Sequence, residues 1–266
     1  MSITRSKDGT EIAFDRLGEG PPVVLVHPAF GHRGFDPLMG ELAQRLSGRF
    51  TVYTFDRRGR GESGDTPPYA VERELEDLDA LIAEAGGSAF VYGMSSGAVL
   101  ALEAANRGLA VRALALYEPP FIVDGTAPPM PADYQARLSE LLDAGRRGDA
   151  VAYAMTNFGA PAEVVEQMRE QPVWPAFEAV AHTLAYDAAV MGDSREGRPL
   201  PAERTASVRV PTLVIVGSEA GDWARNAARA LADALPQGRT CTLEGQFHAV
   251  APALLAEAVA DFFAAA

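Results

Sequence analysis

Phe90-Val91-Tyr92-Gly93-Met94-Ser95-Ser96-Gly97-Ala98-Val99-Leu100-Ala101-Leu102 is the stretch that decides how this chain folds. An apolar run suited to a buried strand ends at Gly-x-Ser-x-Gly, and an Ala- and Leu-rich segment of helical character follows without a spacer. A strand that turns into a helix within so few residues holds the residue at its apex in a strained backbone conformation. Gly93 and Gly97 lack the Cβ atoms that would collide where strand and helix pass close together. Ser95 therefore takes the tip, with its hydroxyl exposed and the positive end of a helix dipole beneath it.

Outward from that stretch, strand and helix patterns alternate. Residues 2–17 read as two short strands joined at Asp8-Gly9, a hairpin signal. Residues 22–26 form a continuous apolar run, the pattern of a strand covered on both faces. The spacing of Leu38, Leu42 and Leu46 predicts a helix over 36–46, and residues 50–55 give the next strand. A helix over 71–85 carries Leu75, Leu78, Leu81 and Ile82 on one face, and Gly86-Gly87 stops it. After the central stretch and a helix to about Asn106 comes a strand over 111–117. The alternation then breaks at Glu118-Pro119-Pro120. Helical patterns alone follow, near 133–146, 148–157, 161–171 and 174–190. Residues 211–217 resume the sheet, followed by a helix over 222–235, a strand over 239–243 and a closing helix over 251–265. Such alternation implies right-handed crossovers and a doubly wound, mostly parallel sheet. Residues 1–119 and 207–266 are expected to form the α/β core, with 120–206 an all-helical cap inserted between two core strands.

A chain of 266 residues, 48% hydrophobic and 22% charged, suits one α/β domain with an insertion. A net charge of −13 argues against nucleic acid and against anionic membrane surfaces. Cys241 is the only cysteine, which fits a reducing cytoplasm. The N-terminus has no apolar signal core, and no run is long enough to span a bilayer. No histidine–carboxylate spacing suggests a metal site, and no cofactor is expected. The expected partner is a small-molecule substrate, on a cytoplasmic monomer or homodimer.

A serine nucleophile needs a base, and the base an orienting acid. Four histidines are available. His27 and His32 lie in loops and His182 in the helical insertion. His248 follows the last strand through Glu244-Gly245-Gln246-Phe247, at the sheet edge where Ser95 also sits, and is the expected base. Two acids compete. Glu118 ends a buried apolar strand and needs a partner to offset its desolvation. Asp222 follows the strand after the insertion, but also reads as the N-cap of the next helix. Asp124 and Glu219 are lesser candidates. The charged loop at 56–61 lacks a Walker Lys-Ser/Thr and opens no helix, so it reads as a turn stiffened by Asp–Arg contacts. In the insertion, Trp174 and His182 are candidates to touch substrate, as is Met94 beside the nucleophile; Met155 and Met191 suit an adaptable apolar pocket.

These pieces, taken in order, resemble the α/β-hydrolase superfamily. They are the loop at 27–31, the Asp-x-Arg-Gly-x-Gly-x-Ser run at 56–63, Gly-x-Ser-x-Gly at 93–97, the helical insertion, Pro-Thr-Leu-Val-Ile-Val-Gly at 211–217 and Gly-Gln-Phe-His at 245–248. The resemblance implies the α/β-hydrolase fold, Ser95 as nucleophile and His248 as base. It permits the acid at either strand end. Tyr117-Glu118-Pro119-Pro120 is similar to the Glu-Leu-Pro segment of zearalenone lactonases and to the strand-end glutamate of some haloalkane dehalogenases, which favours Glu118. It also implies an oxyanion hole of two amides. One is that of Ser96. The other comes from the loop after strand 22–26, where His27-Pro28 replaces the usual His-Gly pair. Proline has no N–H, so Ala29 becomes the donor, with Phe30 the alternative. Phe30 is also expected to touch substrate.

The expected activity is hydrolysis of a carboxylic ester or lactone through an acyl-enzyme on Ser95, as in carboxylesterases and zearalenone-type lactonases. The apolar cap suggests a medium-sized, uncharged, hydrophobic substrate. A C–C bond hydrolase, perhydrolase or thioesterase would keep the same triad. A ligand sensor with little turnover is the rival from outside the enzymes.

Overall fold

The computed structural model describes all 266 residues. Strands β1 (Ser2–Arg5) and β2 (Glu11–Leu17) form an antiparallel hairpin, and β2 pairs antiparallel with β4 (Thr51–Phe55). β3 (Pro22–Val26), β5 (Ala89–Met94), β6 (Val111–Tyr117), β7 (Thr212–Gly217) and β8 (Gly238–Leu243) complete the sheet. All pairings from β4 to β8 are parallel, in the order β1-β2-β4-β3-β5-β6-β7-β8. This is the doubly wound α/β-hydrolase fold.

The period-2 alternation of strand side chains sorts them into two cores. Val23 and Leu25 of β3 pack with helices α1 (Pro37–Leu46) and α10 (Pro252–Ala265) on one face. Val24 and Val26 pack with α2 (Val71–Glu84), α3 (Ser96–Asn106) and α9 (Asp222–Ala234) on the other. Strands covered on both faces must be apolar throughout, which is why β3, β5 and β7 read as unbroken apolar runs. Boundaries of the helices and parallel strands of this core agree with the sequence expectations to within a residue or two. α1 shows why: Asp36 caps it by accepting from the Met39 amide at 3.1 Å, and Pro37 opens its first turn.

Between β6 and β7 lie α4 (Tyr134–Asp143), α5 (Arg147–Asn157), α6 (Ala162–Arg169), α7 (Trp174–Ala179) and α8 (Leu184–Met191). They share a small core of their own, including Leu138, Leu141, Val151, Trp174 and Leu184. The helix expected over 174–190 is broken by a 3-10 turn at Ala181–Thr183. The Thr183 hydroxyl donates back to the Val180 carbonyl at 2.7 Å and accepts from the buried Arg60 Nε at 3.0 Å, which tightens the turn. A second correction concerns α9: Gly221, not Asp222, is its N-cap, and Asp222 is its first helical residue. No helix is long and apolar enough to cross a membrane.

Candidate active site

β3 and β5 are neighbours, yet β3 leads into α1 on one face and β5 into α3 on the other. The chain diverges above their carboxyl ends, and such a crevice is where open α/β sheets hold ligands. A cavity of about 1190 Å³ opens there, bounded by the strand-end loops and the helical insertion. Ser95, Ser96, Glu118 and His248 line it, as do Ala29, Phe30 and Met94.

Ser95 sits at the elbow with φ 53° and ψ −123°, a conformation that L residues adopt only under constraint. The glycines beside it permit the geometry. A Cβ on Gly93 would stand 2.4 Å from the Gly97 carbonyl oxygen, and one on Gly97 would stand 2.4 Å from that of Val26. Ser95 thus stands over the N-terminus of α3, whose first amides have no carbonyl upstream within the helix.

Glu118 follows β6 with φ 43° and is 3% exposed. Its Oε1 accepts from the Gly217 amide at 3.1 Å, and its Oε2 lies 2.7 Å from His248 Nδ1. A carboxylate can only accept, so Nδ1 carries the proton and Nε2 is left as the basic nitrogen. The loop that carries His248 is tied to the end of β7. The Glu219 amide donates to the Gln246 carbonyl at 2.8 Å, and the Gly245 amide to Ser218 Oγ at 2.8 Å. Tyr117 Oη donates to the Phe247 carbonyl at 2.8 Å. The close approach needs Gly217, where a Cβ would lie 2.1 Å from the Gln246 carbonyl oxygen. Asp222 is elsewhere. Its side chain is 73% exposed, pairs with Arg225 and lines no part of the cavity. Asp124 binds Thr126 and Asn226, and Glu219 is an exposed residue of the cavity wall.

The loop after β3 makes a turn in which the Gly31 amide donates to the Pro28 carbonyl at 3.1 Å. Phe30 takes φ 64° at its third position, the requirement of a type II turn. The amides of Ala29 and Phe30 make no hydrogen bond within the chain, and both residues line the cavity with Ser96. Arg60 Nη1 anchors the turn from below, donating to the Pro28 carbonyl at 2.6 Å.

That arginine belongs to a buried network whose acids the sequence had not located. Asp56 does not pair with the arginines that follow it; it pairs with Arg33 at 3.0 Å. Arg57 pairs with Glu74 of α2 at 2.6 Å and Asp187 of α8 at 2.7 Å. Arg58 pairs with Asp77 at 2.7 Å and Asp8 at 3.0 Å, and Arg60 with Asp187 at 2.6 Å. Asp187 also accepts from Ser96 Oγ at 2.7 Å, so a carboxylate of the insertion clamps the residue next to Ser95. Burial pushes the Asp187 carboxyl up, but Arg60, Arg57 and the Ser96 bond outweigh it and hold it below the usual range. Its only trace in the sequence is a lone acid in the apolar run at 184–191.

Trp174 and His182 are not brought to the cavity. Trp174 is buried in the core of the insertion, its Nε1 donating to Glu178 Oε1 at 3.1 Å. The 3-10 turn carries His182 to the seam with the 56–65 loop, where its Nε2 lies 3.7 Å from Asp65. Burial there pushes its pKa down. Met191 lines the cavity and Met155 does not. Tyr134, Trp223 and Arg195 line it too, unforeseen because each comes from a separate element.

A sequence profile described as the alpha/beta hydrolase family matches residues 23–262. An alpha/beta hydrolase from Sphaerobacter thermophilus, known as a crystal structure, is 54% identical and superposes with a TM-score of 0.91 over 98% of this chain and 100% of its own. The uncharacterised hydrolase YraK of Bacillus subtilis is 35% identical over 36% of this chain. The pimeloyl-[acyl-carrier protein] methyl ester esterase of Xanthomonas campestris is 37% identical over 38% of it. The aligned stretches span 35% and 38% of the lengths of those two relatives.

Proposed function

The chain belongs to the alpha/beta hydrolase family, and within it we propose a carboxylic ester hydrolase, an esterase or lactonase, that works through a Ser95–His248–Glu118 triad. The observation that carries this reading is the 2.7 Å contact between His248 Nδ1 and Glu118, beside a cavity that also contains the strained Ser95.

In the proposed reaction His248 Nε2 takes the Ser95 hydroxyl proton as Oγ bonds to the ester carbonyl carbon. The resulting oxyanion accepts from the Ser96 amide and from that of Ala29 or Phe30. Collapse breaks the carbon–oxygen bond, and the imidazolium returns its proton to the departing alkoxide. From a lactone, that alcohol stays attached to the acyl chain. A water then gives a proton to Nε2 and attacks the acyl carbon; as the bond to Ser95 Oγ breaks, the imidazolium returns that proton and Ser95 leaves as the free hydroxyl. Glu118 holds Nδ1–H in place and stabilises the transient imidazolium. Residues 120–206 serve as the cap, and Phe30 and Met94 with Met191 as an apolar wall for a medium-sized acyl chain.

The test is turnover of p-nitrophenyl butyrate by the wild-type protein and Ser95→Ala. The substitution should remove about 10⁶-fold of kcat, and a fluorophosphonate should label Ser95 alone. Neither turnover nor labelling would leave a binding protein as the better reading.

A further inference from the structure

Arg195 is the only lysine or arginine that lines the cavity, and it has no acidic partner. Its Nη2 reaches the Asn157 carbonyl at only 3.4 Å, its Nε is buried with no partner, and its guanidinium carbon stands 5.7 Å from the centre of the Phe158 ring. Burial pulls its pKa down, with Tyr134 the one group opposing the shift. Arg195 is half-buried; the more deeply buried arginines are treated differently, for Arg33, Arg57, Arg58 and Arg60 each hold at least one carboxylate within 3.0 Å.

The acids around Arg195 are engaged elsewhere. Asp193 and Glu196 both pair with Arg198, at 3.0 and 2.7 Å. Asp187 is held by Arg57 and Arg60, and Glu118 by His248. Glu219 is exposed on the same cavity. The backbone beneath Arg195 is pinned on both sides. Its own carbonyl accepts from the Met130 amide at 2.9 Å, that of Ser194 accepts from Ile122 at 3.0 Å, and the Gly197 amide donates to Ile122 at 3.0 Å. A guanidinium largely removed from water without a counter-ion is costly, and its planar fork of donors matches the paired oxygens of a carboxylate or a phosphate. Among the acids of this cavity a singly charged carboxylate meets less repulsion than a phosphate dianion.

We infer that the substrate carries a free carboxylate, separate from the scissile carbonyl, which Arg195 binds. The class is then the half-ester of a dicarboxylic acid, or a lactone bearing an acid side chain, rather than the uncharged substrate expected from the apolar cap. The inference rests on the reading of this cavity as the acyl pocket. It also gives an anion a local reason to enter a protein whose net charge is −13.

The test compares mono-4-nitrophenyl esters of four- to ten-carbon dicarboxylic acids with the esters of the matching monocarboxylic acids. Arg195→Gln should lower kcat/KM for the best half-ester about ten- to a hundredfold, chiefly through KM, and change that of its neutral counterpart less than about twofold. Arg195→Lys, a charge without the fork, should fall between. The neutral ester reports folding and the integrity of the triad. An equal loss on both series, or no loss at any chain length, overturns the inference. A second readout does not need turnover: calorimetric binding of adipate monomethyl ester and of dimethyl adipate to Ser95→Ala, with and without Arg195→Gln. If wild-type protein cleaves neither series while the half-ester binds in an Arg195-dependent way, the hydrolytic reading fails and the carboxylate site stands. Turnover without any dependence on Arg195 removes the site and leaves the hydrolase.

Discussion

Two of the carboxylates that line the cavity are buried, each 3% exposed: Glu118 at the end of β6 and Asp187 on α8. Glu118 faces one histidine whose side chain is 53% exposed. Asp187 faces two arginines that are as buried as it is. A carboxylate against an imidazole can support a proton that comes and goes, because an imidazole exists in a neutral and a charged form. A carboxylate against two guanidiniums cannot, since their charge is permanent. Equal burial therefore has two meanings in one cavity, one chemical and one structural, and the partner decides which.

Glu118→Gln should have the largest effect on turnover, with kcat reduced roughly 10⁴-fold and melting temperature little changed. The Gly217 amide must bond the amide oxygen of the glutamine, so its NH₂ turns to His248 Nδ1 and forces the wrong tautomer. Steady-state kinetics beside a thermal melt would check this, and near-normal kcat would break the assignment. Asp187→Asn should reverse the pattern. It leaves Arg60 buried without a carboxylate, at a cost of about 3–5 kcal/mol, while kcat per folded molecule falls far less. The pH dependence follows from the sign of the shift. The folded-state pKa lies below the unfolded value, so the contribution of Asp187 is present above about pH 4 and is lost as pH falls through the folded pKa. Denaturant unfolding down the acid limb should therefore be steeper for wild type than for Asp187→Asn. The comparison breaks if that variant loses kcat as severely as Glu118→Gln while remaining fully stable. The smallest effect is expected from Asp222→Asn. Its carboxylate lies outside the cavity and pairs at the surface with Arg225, so kcat should change less than about twofold and stability by less than about 1 kcal/mol.

What could be read in the sequence was local. The elbow is legible because Gly93 and Gly97 are needed by contacts within their own strand–turn–helix unit, and Glu118 because an acid closing an apolar strand demands a partner. The break at Ala181–Thr183 was not legible, since no glycine or proline marks it; the partner that tightens it is Arg60, more than a hundred residues upstream, bonded to Thr183. For the same reason Trp174 and His182 were misplaced: a helical stripe shows that one side is covered, but not by what. Asp187 and Arg195 gain their meaning only from residues on other elements, and no period in the sequence records that.

Only three non-glycine residues in the chain have positive φ, namely Phe30, Ser95 and Glu118, and all three line the cavity. Each such conformation costs about 1–3 kcal/mol. Random substitution and selection for thermal stability alone would therefore drift toward glycine at these positions, gaining backbone relaxation while discarding an aromatic ring, a hydroxyl and a carboxylate. Against that gradient, side chains at all three positions point to selection for what those side chains do at the cavity.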